Sequence, residues 1–157
     1  MKKVTTLLAA TALAFAALVG PAAAATVAGV ELTDYSVGVT KKDGDYSLVL
    51  GTTAPIALAG VEVDLKPAVG FGDGDINFDL GASYDVTEVV GATVSAIGGL
   101  GLNWVDTDDI ELDVRVGAGV SYEVADGKAL FATYTYGYNF EADDTDTELR
   151  LGLSIEF

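Results

Sequence analysis

The sequence predicts an all-β fold, an eight-stranded antiparallel up-and-down β-barrel of the transmembrane type with short loops, preceded by a cleaved signal peptide. Three observations predict it. Apolar and polar residues alternate with period two in eight successive segments of the 157-residue chain. Gly- and Asp-rich turn signals separate most of those segments. The polar face is built largely from Gly and Ser, where a solvated sheet face would carry Lys, Glu and Thr, and small residues suit the cramped interior of a small closed barrel.

The first 25 residues stand apart. Lys2-Lys3 precede an apolar run from Val4 to Val19, followed by Gly20-Pro21 and Ala22-Ala23-Ala24-Ala25. A positive start, an apolar stretch, a breaker and small residues read as a secretory signal peptide cleaved near Ala24 or Ala25. A retained membrane helix needs about 18 or more apolar residues, and this run is shorter. The division is therefore 1–25 as signal peptide and 26–157 as one barrel domain, which suits a chain of this length. Cleavage leaves six basic residues against 24 acidic ones. A surface so acidic suits a saline medium, where salt screens self-repulsion.

Along the chain, strands fit near 33–41 and 45–53, joined by Lys41-Lys42-Asp43-Gly44. An apolar connection over 54–60 holds Pro55, and the next strand, near 61–71, contains Pro67, which removes a ladder donor and predicts a bulge. After Gly72-Asp73-Gly74-Asp75, Ile76, Phe78, Leu80, Ala82 and Tyr84 alternate with polar or small neighbours. A connection over 86–91 leads to a strand near 92–104, and Asp106-Thr107-Asp108-Asp109 turns into the run Ile110 to Tyr122. Ala125-Asp126-Gly127 and Asp143-Asp144-Thr145-Asp146 bracket a strand near 128–140. The last alternation is Leu149, Leu151, Leu153, Ile155 and Phe157. Eight is an even number, as single-chain bacterial barrels require. Each strand also carries at least one Gly on its polar parity, among them Gly38, Gly51, Gly70, Gly81, Gly101, Gly117, Gly137 and Gly152.

Alternation alone also fits a soluble sandwich, so the aromatics carry weight. With the N-terminus on the inner side, Phe71, Phe78, Trp104, Tyr138 and Phe140 fall near the outer end of the wall and Tyr84, Tyr122 and Phe157 near the inner end, as in the two girdles of a membrane barrel. An open sheet in lipid would leave backbone groups unsatisfied, so the sheet must close. Composition excludes further classes. With no Cys and no His there is no disulfide scaffold, no thiolate metal site and no thiol or imidazole chemistry. A formal charge of −16 argues against nucleic acid.

The terminal Leu149-x-Leu151-x-Leu153-x-Ile155-x-Phe157, the eight alternating strands and the leader together resemble the small eight-stranded outer-membrane β-barrels of Gram-negative bacteria, of the OmpA transmembrane-domain and OmpX type. The resemblance covers about 33–157. It implies that the C-terminal motif is the signal read by the outer-membrane barrel assembly machinery, that outer-membrane lipids surround the wall, and that charges inside the barrel form a salt-bridge network. Barrel enzymes of that membrane use an active-site His, which this chain lacks, and no motif marks Asp79 and Asp113 as an acid–base pair. The Gly-x-Gly sequences at Gly72 and Gly99 are not dinucleotide fingerprints, because no helix follows them. An enzyme is not expected, nor is a cofactor.

Two constellations remain. Glu62, Asp64, Lys66, Asp79, Glu111, Asp113, Arg115, Glu148 and Arg150 lie on the interior parity, with the strand of Glu111, Asp113 and Arg115 expected beside that of Glu148 and Arg150. Buried charges persist only when paired, which favours a structural network; the alternative is a narrow cation-preferring path lined by the same groups. The second is the acidic rim, of which Asp73, Asp75, Asp108, Asp109, Asp143 and Asp144 are candidate oxygen ligands for a weakly held divalent cation. No EF-hand spacing occurs there, and turn residues in solvent explain the same pattern. The reading is a monomeric outer-membrane barrel with a structural or surface role and a largely plugged interior, with a small porin-like channel as the alternative. External loops of about 4–8 residues are too short to wrap a protein partner.

Overall fold

The computed structural model describes residues 26–27, 30–72, 75–106 and 109–156, which contain ten strands and no helix. Two short strands, β1 (Thr26–Val27) and β2 (Val30–Glu31), pair with each other. The other eight are β3 (Asp34–Lys42), β4 (Asp45–Leu58), β5 (Val61–Gly72), β6 (Asp75–Val89), β7 (Ala92–Asp106), β8 (Asp109–Ala125), β9 (Lys128–Asn139) and β10 (Asp144–Glu156). Each pairs antiparallel with its sequence neighbour, and β10 closes on β3, giving the expected eight-stranded up-and-down barrel. The expected signal peptide, 1–25, lies outside the described residues.

Closure staggers the strands. Followed from Asp34 through Thr53, Lys66, Gly81, Gly99, Arg115, Gly137 and Asp146, the ladders return to β3 displaced by about ten residues. Such a stagger tilts the strands by roughly 35–45° and closes a small barrel that side chains can fill. The alternation then sorts the two faces. Leu80, Leu100, Leu102, Leu112, Val116, Leu130 and Leu151 are exposed on the outside, while Thr40, Ser83, Ser95, Asp113, Arg115, Thr135 and Glu148 are buried inside. This is the inverse of a soluble core, and it is the arrangement lipid requires.

Several strands run further than the alternation suggested. Strand β4 continues through Pro55 to Leu58, and β6 continues to Val89, so the connections expected over 54–60 and 86–91 shrink to the turns Ala59-Gly60 and Val90-Gly91. Pro55 is tolerated because the β3 ladder ends at Asp34↔Thr53, leaving no neighbour that needs its missing N–H. Both turns place two successive residues at positive φ, the hairpin geometry whose twist matches the flanking strands.

Pro67 does not make the expected bulge. Its register with β4 is unbroken, but the bridges lapse opposite Thr52 and Thr53 because Pro67 has no N–H to donate. The bulges fall at strand ends instead, between Asp85 and Thr87, Trp104 and Asp106, and Glu123 and Ala125. One external connection is shorter than expected, with two residues between β3 and β4, while Phe140 to Asp143 between β9 and β10 falls at the lower end of the expected length. The aromatics of β9 also depart from a simple girdle. Tyr134, Tyr136, Tyr138 and Phe140 are all exposed and form a column down the outer wall, capped by an edge-to-face contact of Tyr138 with Phe140 at 5.2 Å.

Candidate functional site: the charged layer of the lumen

Arg115, on the inward face of β8, is 7% exposed and is the hub of the interior. Its Nη2 donates to Asp113 Oδ2 at 2.7 Å, and its Nη1 donates to Asp79 Oδ1 at 3.3 Å and to Glu148 Oε2. Arg150 on β10 forms the second cationic centre. It reaches Asp79 Oδ2 at 2.5 Å, Glu148 Oε1 at 3.0 Å and, through Nε, Thr40 Oγ1 at 3.1 Å. Asp79 and Glu148 are thus each shared by both guanidinium groups. Hydrogen-bonded ion pairs of this kind are shorter and stronger than neutral hydrogen bonds.

The expected neighbour relation is corrected by the topology. Strands β8 and β10 are separated by β9, and β6 is separated from β8 by β7, so these ion pairs pass over intervening strands. Small residues make that reach open. Gly99 on β7 and Gly137 on β9 flank Arg115 in the ladders, and Gly101 lies opposite both Asp79 and Asp113. A Cβ on Gly101 would collide with the Asp113 carboxylate, and one on Gly137 with that of Asp146.

Two members were missed by sequence reasoning. Lys42, assigned to a turn, is the last residue of β3 and binds Asp146 Oδ2 at 2.6 Å and Asp113 Oδ2 at 3.6 Å. Asp146, assigned to an acidic turn, is buried on the inward face of β10. The signal was present, since both share the parity of their inward neighbours: Lys42 with Thr40 and Gly38, Asp146 with Glu148 and Arg150. Asn103 and Asn139 complete the layer: Asn103 donates to Asp113 Oδ2 at 3.0 Å and Asn139 to Glu111 Oε2 at 2.7 Å. Three bases and the four acids Asp79, Asp113, Asp146 and Glu148 therefore meet in seven ion pairs among the described residues.

The remaining predicted residues lie elsewhere. Asp64 and Lys66 line a cavity of about 700 Å³ on the side of the chain termini, and Glu62 is exposed near the Ala59-Gly60 turn without joining the network. That cavity extends as far as Asp79, Arg115, Glu148 and Arg150, while Lys42, Asp113 and Asp146 lie beyond its lining.

At the rim, Asp73 and Asp108 lie outside the described residues. Asp143 accepts a hydrogen bond from the Tyr138 hydroxyl at 2.5 Å, and Asp144 accepts one from the Thr145 N–H at 2.7 Å. These are bonds that stabilise the turn. Among the described residues no three acids converge as a metal site. Of the C-terminal motif, Leu149 and Leu151 are exposed on the outer wall, Leu153 and Ile155 are half-buried, and Phe157 lies outside the described residues.

No family model and no curated protein matches the chain, but solved structures do. The N-terminal β-barrel domain of Pseudomonas aeruginosa OprF superimposes with a TM-score of 0.59 at 16% identity, covering 80% of this chain and 97% of that one. A major outer membrane protein from Thermus thermophilus gives 0.60 at 12% identity, over 80% and 99%. A de novo designed transmembrane β-barrel gives 0.58 at 16% identity, over 80% and 95%. At these identities the likeness is one of fold: this chain has the eight-stranded closed architecture of outer-membrane and designed membrane barrels.

Proposed function

We propose that the protein is a monomeric outer-membrane β-barrel with a structural role in the bacterial envelope, its lumen closed by the Arg115 layer. The observation that carries this reading is the sharing of Asp79 and Glu148 between Arg115 and Arg150, which knits β6, β8 and β10 together across the interior. Such a layer costs desolvation and is retained only where every member is paired. The apolar outer wall supports surrounding lipid, and the alternating end from Leu149 to Ile155 supports recognition by the barrel assembly machinery. Short turns leave little surface for adhesion or receptor work.

Planar-bilayer recording of the refolded chain tests this. A silent membrane containing inserted protein is the expected result. Steady cation-selective steps would replace the closed barrel with a small pore, the reading that the acid surplus of the interior favours.

A further inference from the structure

On the side of the termini, the lumen opens into a chamber of about 700 Å³ whose far limit is the charged layer. Its size lies within the range of small-molecule sites, roughly 300–1,000 Å³. Its lining is unusual for mere packing. Ser83 is 3% exposed and Thr135 6% exposed, both line the chamber, and neither hydroxyl has a hydrogen-bond partner among the described residues. Asp34 Oδ1, also buried on the lining, is likewise unpaired there. Buried polar atoms in native structures have partners, and a hydroxyl both donates and accepts, so these groups are free to bond a guest in the chamber, the Asp34 oxygen only as an acceptor.

The charges narrow the choice. Glu31, Asp34, Asp64, Asp85 and Glu156 line the chamber together with Lys66, while Arg115 and Arg150 are already committed to Asp79 and Glu148. The carboxylates come from β2, β3, β5, β6 and β10, and among the described residues no three converge on a point, which disfavours a compact metal ion. Ile97 and Phe131 supply apolar wall between the polar groups. Separated acids, buried hydroxyls able to accept, and apolar wall suit an extended molecule bearing several ammonium groups on a hydrocarbon stem.

We propose that the inner chamber is a binding site for small organic polycations such as aliphatic polyamines. Binding does not require the lumen to conduct, so this inference and the closed-barrel reading stand or fall separately.

Calorimetric titration of the mature chain in lipid nanodiscs, with spermidine as probe, tests it. The expected result is saturable binding of one spermidine per barrel, weakened at least tenfold in D64N/D85N and unchanged in the rim control D43N/D144N. Glucose and glutamate are expected to give no saturable heat. Absence of saturable spermidine binding would overturn the proposal, as would equal binding to D64N/D85N or comparable binding of glucose. Circular dichroism of the variants in the same nanodiscs separates lost binding from lost folding.

Discussion

Gly101 faces Asp113 directly across the β7–β8 ladder, and the space where its side chain would stand is filled by the Asp113 carboxylate. Asp113 is 0% exposed and holds Arg115, Asn103 and Lys42. The glycine is therefore part of the charged layer, contributing room where its neighbours contribute charge. Gly101→Ala is expected to displace that carboxylate and destabilise the barrel by about 1–3 kcal/mol, the usual cost of overpacking. Gly98→Ala is the control, because a Cβ there meets only the Arg115 carbonyl oxygen at 3.9 Å. Urea unfolding in lipid vesicles distinguishes them, and equal effects at the two positions would refute the steric account.

Arg115 carries the second prediction. Removing one partner from a buried ion-pair layer leaves charges without compensation, at about 3–5 kcal/mol. Arg115→Met removes one cationic partner from Asp79, Asp113 and Glu148 at once, leaving them to Arg150 and Lys42, so a cost within that range is expected. Arg115→Lys keeps the charge but loses the planar fork, and should fall between Met and the parent. Lys42→Met should cost less, because Lys42 is partly exposed and only Asp146 loses its ion pair, while Asp113 keeps Arg115. Unfolding free energies that fail to rank in this order would dissolve the hub.

Much of this was legible in the sequence and some was not, for a physical reason. Period-two alternation from Tyr35 to Ile155 identifies the strands and their inward residues, because a strand has only two faces. Parity does not reveal which inward residues meet. That depends on the stagger of the closed barrel, which brings Asp79 of β6 and Glu148 of β10 to Arg115 of β8 over glycines on β7 and β9. Lys42 and Asp146 were missed because Lys-Asp-Gly and Asp-Asp-Thr-Asp look like turns. Turn composition hid two residues near strand ends whose side chains point inward.

Val90 gives a prediction about strain. It sits at φ 52° in the turn between β6 and β7, 94% exposed, so no packing offsets its conformation. A β-branched residue at positive φ is disfavoured, and the left-handed region costs an ordinary L-residue about 1–2 kcal/mol. Asn followed by glycine is the preferred pair for such turns. Val90→Asn ahead of Gly91 is therefore expected to raise stability by about 1 kcal/mol, read as a higher urea midpoint with an unchanged slope. A lower midpoint would show that the Val90 side chain contributes more than the strain removes.

The outer wall supplies the last prediction, which tests whether lipid is its solvent. Leu100 is exposed near the middle of β7, flanked in the ladders by Leu80 and Val114, which are also exposed. In water an exposed Leu exchanged for Arg would be nearly neutral, since surface changes fall within about 0.5 kcal/mol. In a bilayer, Arg at mid-depth on the lipid face of a barrel costs about 2–4 kcal/mol, falling to about 0–1 near the interfaces. Leu100→Arg should therefore cost several times more than Val124→Arg, which is equally exposed but lies at the bulge beside the inner turn. Both are measured by urea unfolding from vesicles of the same lipid. A graded cost locates the apolar belt at the depth of Leu100, whereas two equally small costs would mean that this face meets water.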